Sequence, residues 1–423
     1  MKGIEEKQIE APYELPEGWK WCRLGEVADW GSGGTPSRKN PEYYQGSIPW
    51  IKTGELNETY IFDSEEKVSE DAIKHSSAKI FPKETVVMAM YGATIGKTAI
   101  FGIDASTNQA CACAICHKEL DNHFLFNFLK SKKDYFLYNA KGGAQPNISQ
   151  EIIKNTLIPL PPTLAEQQRI VKRIESMFAK LDEAKEKAQN VVDGFETRKA
   201  AILHKAFTGE LTAKWRKENG VSDDSWVEKL FDSCIAKMQN GLSKRSGNEG
   251  EETVVLRLAN MGEDDFDVSD LRTIKLTSKE KNNYSLAKND VVMIRVNGSK
   301  TNVGRQLLVK NNKGWSFCDH IIRIQFEVFC LPNYMVYFSK TKEYIDYVQD
   351  NMVSSAGQNT ISRKGLSNLS LKVPTLPEQQ EIVRILEIII EKENKAKQAA
   401  EAVLEQIDLL KKSILARAFR GEL

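Results

Sequence analysis

The sequence predicts a mixed α+β protein in which two globular domains are separated by two long helices that pair as an antiparallel coiled coil, the whole forming a pseudo-twofold internal repeat. Three observations predict it. First, the stretch LAEQQRIVKRIESMFAKL, from Leu164 to Leu181, returns as LPEQQEIVRILEIIIEKE from Leu376. Residues 164–211 align with 376–423 without a gap at an offset of 212, and 20 of the 48 pairs are identical. A repeat on this scale fixes the architecture before any local reading. Second, apolar residues recur every seven positions through both copies, the pattern of a coiled-coil seam. Third, each helix follows a region of short β-rich runs bounded by turn residues, which reads as a folded α+β domain.

In chain order, residues 1–162 form the first domain with its N-terminal arm. SIPWIKTGEL, ETVVMAMYG and ACACAICHKEL are strand signals, and FLFNFLKSKKDYFLYNA reads as a helix. Residues 163–212 are the central helix. Thr163 and Glu166 have capping-box spacing, prolines stand before the start and Gly209 stands after the end. Ile174, Leu181, Ala188, Phe195 and Ile202 form one row, beside Ile170, Met177, Ala184 and Val191. Residues 213–374 form the second domain, with strand signals TVVLRLANM, DVVMIRVNG and HIIRIQFEVF and the helix YMVYFSKTKEYIDYVQDNM. Residues 375–423 repeat the helix, with Thr375 and Glu378 at its start and Gly421 at its end. Its rows are Leu386, Ala400, Ile407 and Ile414, beside Ile382, Ile389, Ala396, Val403 and Leu410. Arg198 and Glu393 interrupt the pattern and read as breaks tolerated near the ends or over the seam, with Arg198 unpaired. Upstream, GAQPNIS faces GQNTIS, VVMAMYGATIGK resembles VVMIRVNGSKTNVGR, and PEGWKWCRL echoes DDSWVEKL.

Composition narrows the class. No window approaches 18 uninterrupted apolar residues, so no membrane span is expected. The N-terminus mixes both charge signs without an apolar signal core, which argues for a cytoplasmic protein. Seven scattered cysteines read as reduced thiols. A net charge of +1 neither demands nor excludes a nucleic-acid partner, which would need basic groups gathered locally.

Catalytic motifs fail on inspection. GATIGKT nearly spells a phosphate-binding loop, but Tyr91 stands where its first glycine belongs and AIFGIDAST does not read as a helix. Cys113 to His117 matches a haem-attachment spacing inside an apparent strand, where buried cysteines are the simpler reading. NPEY resembles the loop of adenine methyltransferases but follows the basic turn SRKN and lacks a glycine-rich cofactor loop before it. Five histidines show no paired ligand spacing, so no metal centre is expected.

Two lobes on paired antiparallel helices suit a DNA duplex carrying two half-sites, since duplex symmetry mirrors protein symmetry. A coiled-coil adaptor joining two protein partners without DNA contact would carry the same features. The order of domain, PLPPTLAEQQRIVKRIE helix, AFTGEL, TAKWRKEN, second domain, VPTLPEQQEIVRIL helix and AFRGEL closely resembles the specificity (S) subunit of type I restriction–modification enzymes, over essentially the whole chain. The resemblance implies that the globular parts are target recognition domains, each reading half of a bipartite double-stranded DNA target. It implies that the helices fix the spacing and dock two methyltransferase (M) subunits, with two restriction (R) subunits joining in the full complex. This chain would then be non-catalytic and carry no cofactor, with S-adenosylmethionine, ATP and Mg on the partner subunits. TAKWRKEN has no C-terminal counterpart, and the N-terminal arm before Trp19 is expected in its place.

The same resemblance points to loops after paired strands for DNA contact. In the first domain these carry Lys52 and Thr53, then Tyr91, Thr94 and Lys97, then Gln145 and Asn147. In the second they carry Arg257 and Asn260, then Arg295, Asn297, Ser299, Lys300 and Asn302, then Gln358 and Asn359. Arg and Lys suit guanine edges or phosphates, and Asn and Gln suit adenine.

Overall fold

A computed structural model describes residues 11–143 and 146–423. The chain divides into two compact units, Met1–Gln189 with Glu401–Leu423, and Asn190–Ala400. Each unit therefore takes one domain, the start of its own helix or the end of the preceding one, and a helical stretch from the other copy.

The first unit holds a five-stranded sheet in the order Ala28–Ser32, Cys111–Cys116, Val86–Ala89, Thr98–Phe101, Tyr60–Ile61. The second holds Ile235–Asn240, Ile321–Phe326, Val291–Ile294, Gln306–Leu308 in the same order. Beside each lies a smaller sheet around one strand. Ile48–Ile51 pairs antiparallel with Glu66–Val68 and parallel with Ala105–Thr107. Glu251–Leu256 pairs antiparallel with Thr273–Leu276 and parallel with Ser316–Phe317. Register matches too: Trp50 opposes Ser106 and Ile51 opposes Thr107, as Val255 opposes Ser316 and Leu256 opposes Phe317.

The apolar runs follow from burial on both faces. Val86 and Met88 enter one core cluster, while Val87 and Ala89 enter another. Val291 and Met293, against Val292 and Ile294, split the same way in the second unit. Strand side chains alternate, so a strand with two covered faces shows no polar alternation. Each long helical reading after the sheet resolves into two short helices, Asn122–Ser131 and Lys133–Tyr138, then Pro332–Phe338 and Lys342–Asn351.

The repeated helices are α1 (Leu164–Asp193), α2 (Phe195–Phe207) and α3 (Leu376–Ala418). Helix contacts run antiparallel within each unit. In the first, Arg169 donates to the Leu423 carbonyl at 2.8 Å and Lys411 pairs with Asp182. Ile170 and Ile174 share a core with Leu415, Ala418 and Phe419, whose ring meets Phe124 and Phe128 edge-on. In the second, Leu203 and Ala206 share a core with Ile382 and Leu386. Both repeats end in a left-handed glycine, Gly209 at φ +84° and Gly421 at φ +74°.

The two interruptions of the heptad are not unpaired: Arg198 Nε donates to Glu393 at 2.8 Å. Repeat-related positions hold Leu410 and Leu181, so one polar pair replaces an apolar one. Gly194 makes room for it. A β-carbon there would lie 2.4 Å from the Arg198 guanidinium, which folds back to donate to the Val191 carbonyl at 2.9 Å. Ala188, Phe195, Ala400 and Ile407 are buried, whereas Val403 and Leu410 remain 40% and 48% exposed.

The EQQ motif has a tertiary role that its capping spacing does not convey. Gln167 accepts from the Asp121 N–H and donates to the Glu119 carbonyl, both at 2.8 Å. Gln379 repeats this, accepting from the Leu331 N–H at 2.7 Å and donating to Phe329 O at 2.8 Å. Each buried amide thus latches a helix start to the turn that follows the Cys111–Cys116 or Ile321–Phe326 strand. The preceding glutamates differ. Glu166 takes Arg169 in an exposed pair, with its N–H on Thr163 Oγ1 at 3.2 Å. Glu378 is fully buried and accepts from Thr212, Arg216 and Trp226 at 2.7, 2.6 and 3.1 Å. Those donors belong to the TAKWRKEN segment and its sequel, which cover Gly209; in the first unit Pro16 of the N-terminal arm covers Gly421 and Tyr13 donates to Phe419 O.

Candidate nucleic-acid interface

The loops singled out in the sequence come together in pairs, once per unit. In the second unit Val296–Asn297 pairs antiparallel with Gln358–Thr360, which pairs in turn with Val353–Ser355. In the first, bridges join Tyr91 to Asn147 and Lys141 to Asn147, and the Gly92 N–H donates to Pro146 O at 2.8 Å. The matching is close: Ile148 N–H donates to Met90 O, and Ile361 N–H to Arg295 O. Each loop pair adjoins a 3₁₀ turn, Gly92–Thr94 or Lys300–Asn302.

A second matched feature is the turn after the inner strand. The Lys52 N–H donates to Glu55 at 2.8 Å, and the Arg257 N–H to Asn260 at 2.9 Å. These turns carry the other residues named from the sequence.

Individual side chains then sort by what they already hold. Tyr91 is 43% exposed and Asn147 is exposed. Thr94 gives its hydroxyl to Tyr91 O at 2.8 Å, and Lys97 and Thr53 are half-buried. Gln145 lies outside the described residues. Lys300 and Gln358 are exposed, and Ser299 shares a hydroxyl contact with Thr301. Asn297 accepts from the Ser299 N–H, and Asn302 from Arg305. The Arg295 guanidinium donates to the Asp319 carbonyl at 3.5 Å.

Two asparagines serve the loops themselves. Asn260 is 1% exposed, accepts from Arg257 and donates to the Asp267 and Asp270 carbonyls. Asn359 is 6% exposed, accepts from Ser354 and donates to Asn297 O and Gly298 O. Both amides are spent, which leaves no donor or acceptor for a base edge; Asn359 instead ties one loop of the pair to the other. Lys52 is committed as well, to Glu65 and Glu66, both at 3.0 Å.

Electrostatics separate the units. In the first, Arg38 and Lys52 converge on Glu66 and hold its carboxyl down at about 2. Strand register places Glu66 opposite Trp50, while the Val255 N–H donates to Arg272 O at the corresponding step. Arg272 therefore stands where the first unit has Glu66. By the same bonding, Met90 N donates to Ala110 O as Arg295 N donates to His320 O. Arg295 and His320 thus replace Met90 and Ala110. Sequence reading did not single out Lys244, Arg245, Arg272 and His320, which line a cleft in the second unit. The basic run in LSKRSGN was the available signal for two of them; Arg272 and His320 stand alone.

The near-motifs resolve structurally. The GATIGK turn runs into the strand Thr98–Phe101, not a helix. Cys113 packs in one core and Cys116 against another, on opposite faces of one strand, and burial raises both thiols to about 12. Among the described residues no helix is long and apolar enough to cross a membrane.

Residues 16–192 and 234–406 match the family model for the type I restriction modification DNA specificity domain. The chain belongs to the type I specificity-subunit family. It is 30% identical over 422 residues to the StySPI specificity subunit of Salmonella potsdam, across 97% of this chain and 90% of that one. The EcoKI specificity subunit of Escherichia coli K12 is 27% identical over the same shares. The fold matches the HsdS subunit of Thermoanaerobacter tengcongensis with a TM-score of 0.64 at 20% identity, covering 98% of this chain and all of that one. A chain from a structure of assembly and conformational transition in a type I R-M system matches with a TM-score of 0.69 at 20% identity, over 97% and 100%.

Proposed function

We propose that this chain is the non-catalytic DNA-reading subunit of a type I restriction–modification enzyme. Each domain reads one half of a bipartite duplex target through its loop pair, and the paired helices set the gap between the halves. The chain also scaffolds two methyltransferase and two restriction subunits, which supply S-adenosylmethionine, ATP and Mg chemistry. Val403 and Leu410, seven residues apart on one face of α3, offer such a protein partner an apolar contact. One observation carries the reading: the same loop pair stands on the same strand order twice, which is what two half-sites require. In the second domain Arg295 and Asn297 are the leading readers.

The test is binding of the chain with its methyltransferase partner to cognate and mixed-sequence duplexes over a salt series. Phosphate contacts give a steep loss of affinity with salt. Arg295→Ala is expected to cost ~1–3 kcal/mol on the cognate duplex and less on a random one, as a base contact does. Salt-independent or absent binding would favour an adaptor that joins proteins alone.

A further inference from the structure

Beside the second loop pair lies a cleft of about 230 Å³ rimmed by Lys244, Arg245, Arg257, Arg272 and His320, with Val255 in its floor. The 318–320 segment joins it to the loops, since Arg295 bonds both the Asp319 and the His320 carbonyls. Three of the cations are already matched. Lys244 pairs with Glu280 at 2.9 Å, Arg245 with Asp319 at 2.8 Å, and Arg257 with Asp270 at 2.8 Å. Arg272 has no carboxylate partner among the described residues, though it is half-buried. The Arg257 Nε is buried without a hydrogen-bond partner among the described residues. The cleft therefore keeps one unmatched positive charge and one unused buried donor.

We infer that this cleft binds one phosphodiester of the DNA backbone, with Arg272 as its charge partner. A phosphodiester carries a single negative charge, which matches the single unmatched cation. A guanine edge would engage Arg272 by hydrogen bonds alone and leave its charge without a counter-ion. The first unit lacks the site, because Glu66 stands at the Arg272 position and takes both nearby cations itself. The second domain thus has an electrostatic anchor for the duplex that the first lacks at the matched position. The inference rests on the proposed reading of DNA by the two domains.

The test compares wild type, Arg272→Ala and Arg272→Lys, each in the full chain with its methyltransferase partner, on cognate and random duplexes across a salt series. Arg272→Ala is expected to weaken both duplexes equally, by roughly eightfold near 0.1 M salt, and to lower the salt slope by about one. Arg272→Lys is expected to keep the slope. A loss confined to the cognate duplex would make Arg272 a base reader and overturn the phosphate site. Unchanged binding by Arg272→Ala would overturn it too, while leaving DNA reading intact. Wild type that fails to bind any duplex would instead defeat the DNA-reading function and this site with it.

Discussion

The two units repeat one strand order and one loop pair, yet they handle charge differently at matched positions. The first cancels two cations at its inner-strand turn: Glu66 takes Arg38 and Lys52. The second puts Arg272, Arg295 and His320 where the first has Glu66, Met90 and Ala110. It also buries the Glu378 carboxylate, whose counterpart Glu166 lies at the surface. Topology is held by backbone pairing and a two-faced core, so surface charge is free to diverge without cost to the fold. That divergence suits the two-reader function proposed above.

Three experiments test this contrast. The largest effect is expected at the helix starts. Glu378→Ala strips acceptors from Thr212, Arg216 and Trp226 and leaves Arg216 in a site where it is 8% exposed. Removing one member of a buried pair costs ~3–5 kcal/mol. Glu166→Ala removes an exposed pair and should cost under ~1 kcal/mol. Urea denaturation, with hydrogen exchange assigning the transition to each unit, reads both; equal losses would deny the contrast.

A smaller effect is expected at the seam. Arg198→Leu alone leaves Glu393 partly buried without its partner and should cost about 1 kcal/mol. Adding Glu393→Leu recreates the leucines found at the repeat-related positions. The double variant should regain wild-type stability or exceed it, since apolar replacement of a partly buried pair is often neutral or stabilising. A double variant as weak as the single one would mean that the pair holds Gly194 and the carbonyl of Val191 in place, not only the seam.

The smallest effect concerns pH. The Arg38 and Lys52 hydrogen bonds lower the Glu66 carboxyl from 4.5 to about 2. A depressed carboxyl contributes stability above its ordinary value and loses it as pH falls through the folded one. Glu66→Gln should therefore flatten the acid dependence of the first unit between about pH 4.5 and 2, leaving the second unchanged. Acid titration followed by hydrogen exchange checks it, and an unaltered profile would mean that Glu66 is not the group responsible.

Much of this was legible in the residues. The repeat, the heptads and the apolar strands announced the architecture because each is a local or periodic signal. The loops were found for the same reason. What escaped depends on contacts distant in sequence. Gln167 looks like a solvent-facing helix residue until residues 46–48 positions away prove to be its partners. Asn260 and Asn359 looked like adenine readers because composition cannot say which way an amide points. Arg198 and Glu393 looked like separate defects because their pairing spans 195 residues. Arg272 drew no notice, since only strand register reveals that it inverts the charge of Glu66.

The division of the chain has a consequence for how it is made on the ribosome. Residues 401–423 complete the first unit, and Leu415, Ala418 and Phe419 belong to its core. The first unit therefore stays open while the roughly 210 residues of the second are synthesised, about 10–40 s at ~5–20 residues per second. During that interval Phe124 and Phe128 lack the ring of Phe419, and the nascent domain offers an apolar surface to chaperones or to a neighbouring chain. The second unit, drawn from one unbroken stretch, closes first, so maturation runs from the middle of the sequence outward to its two ends.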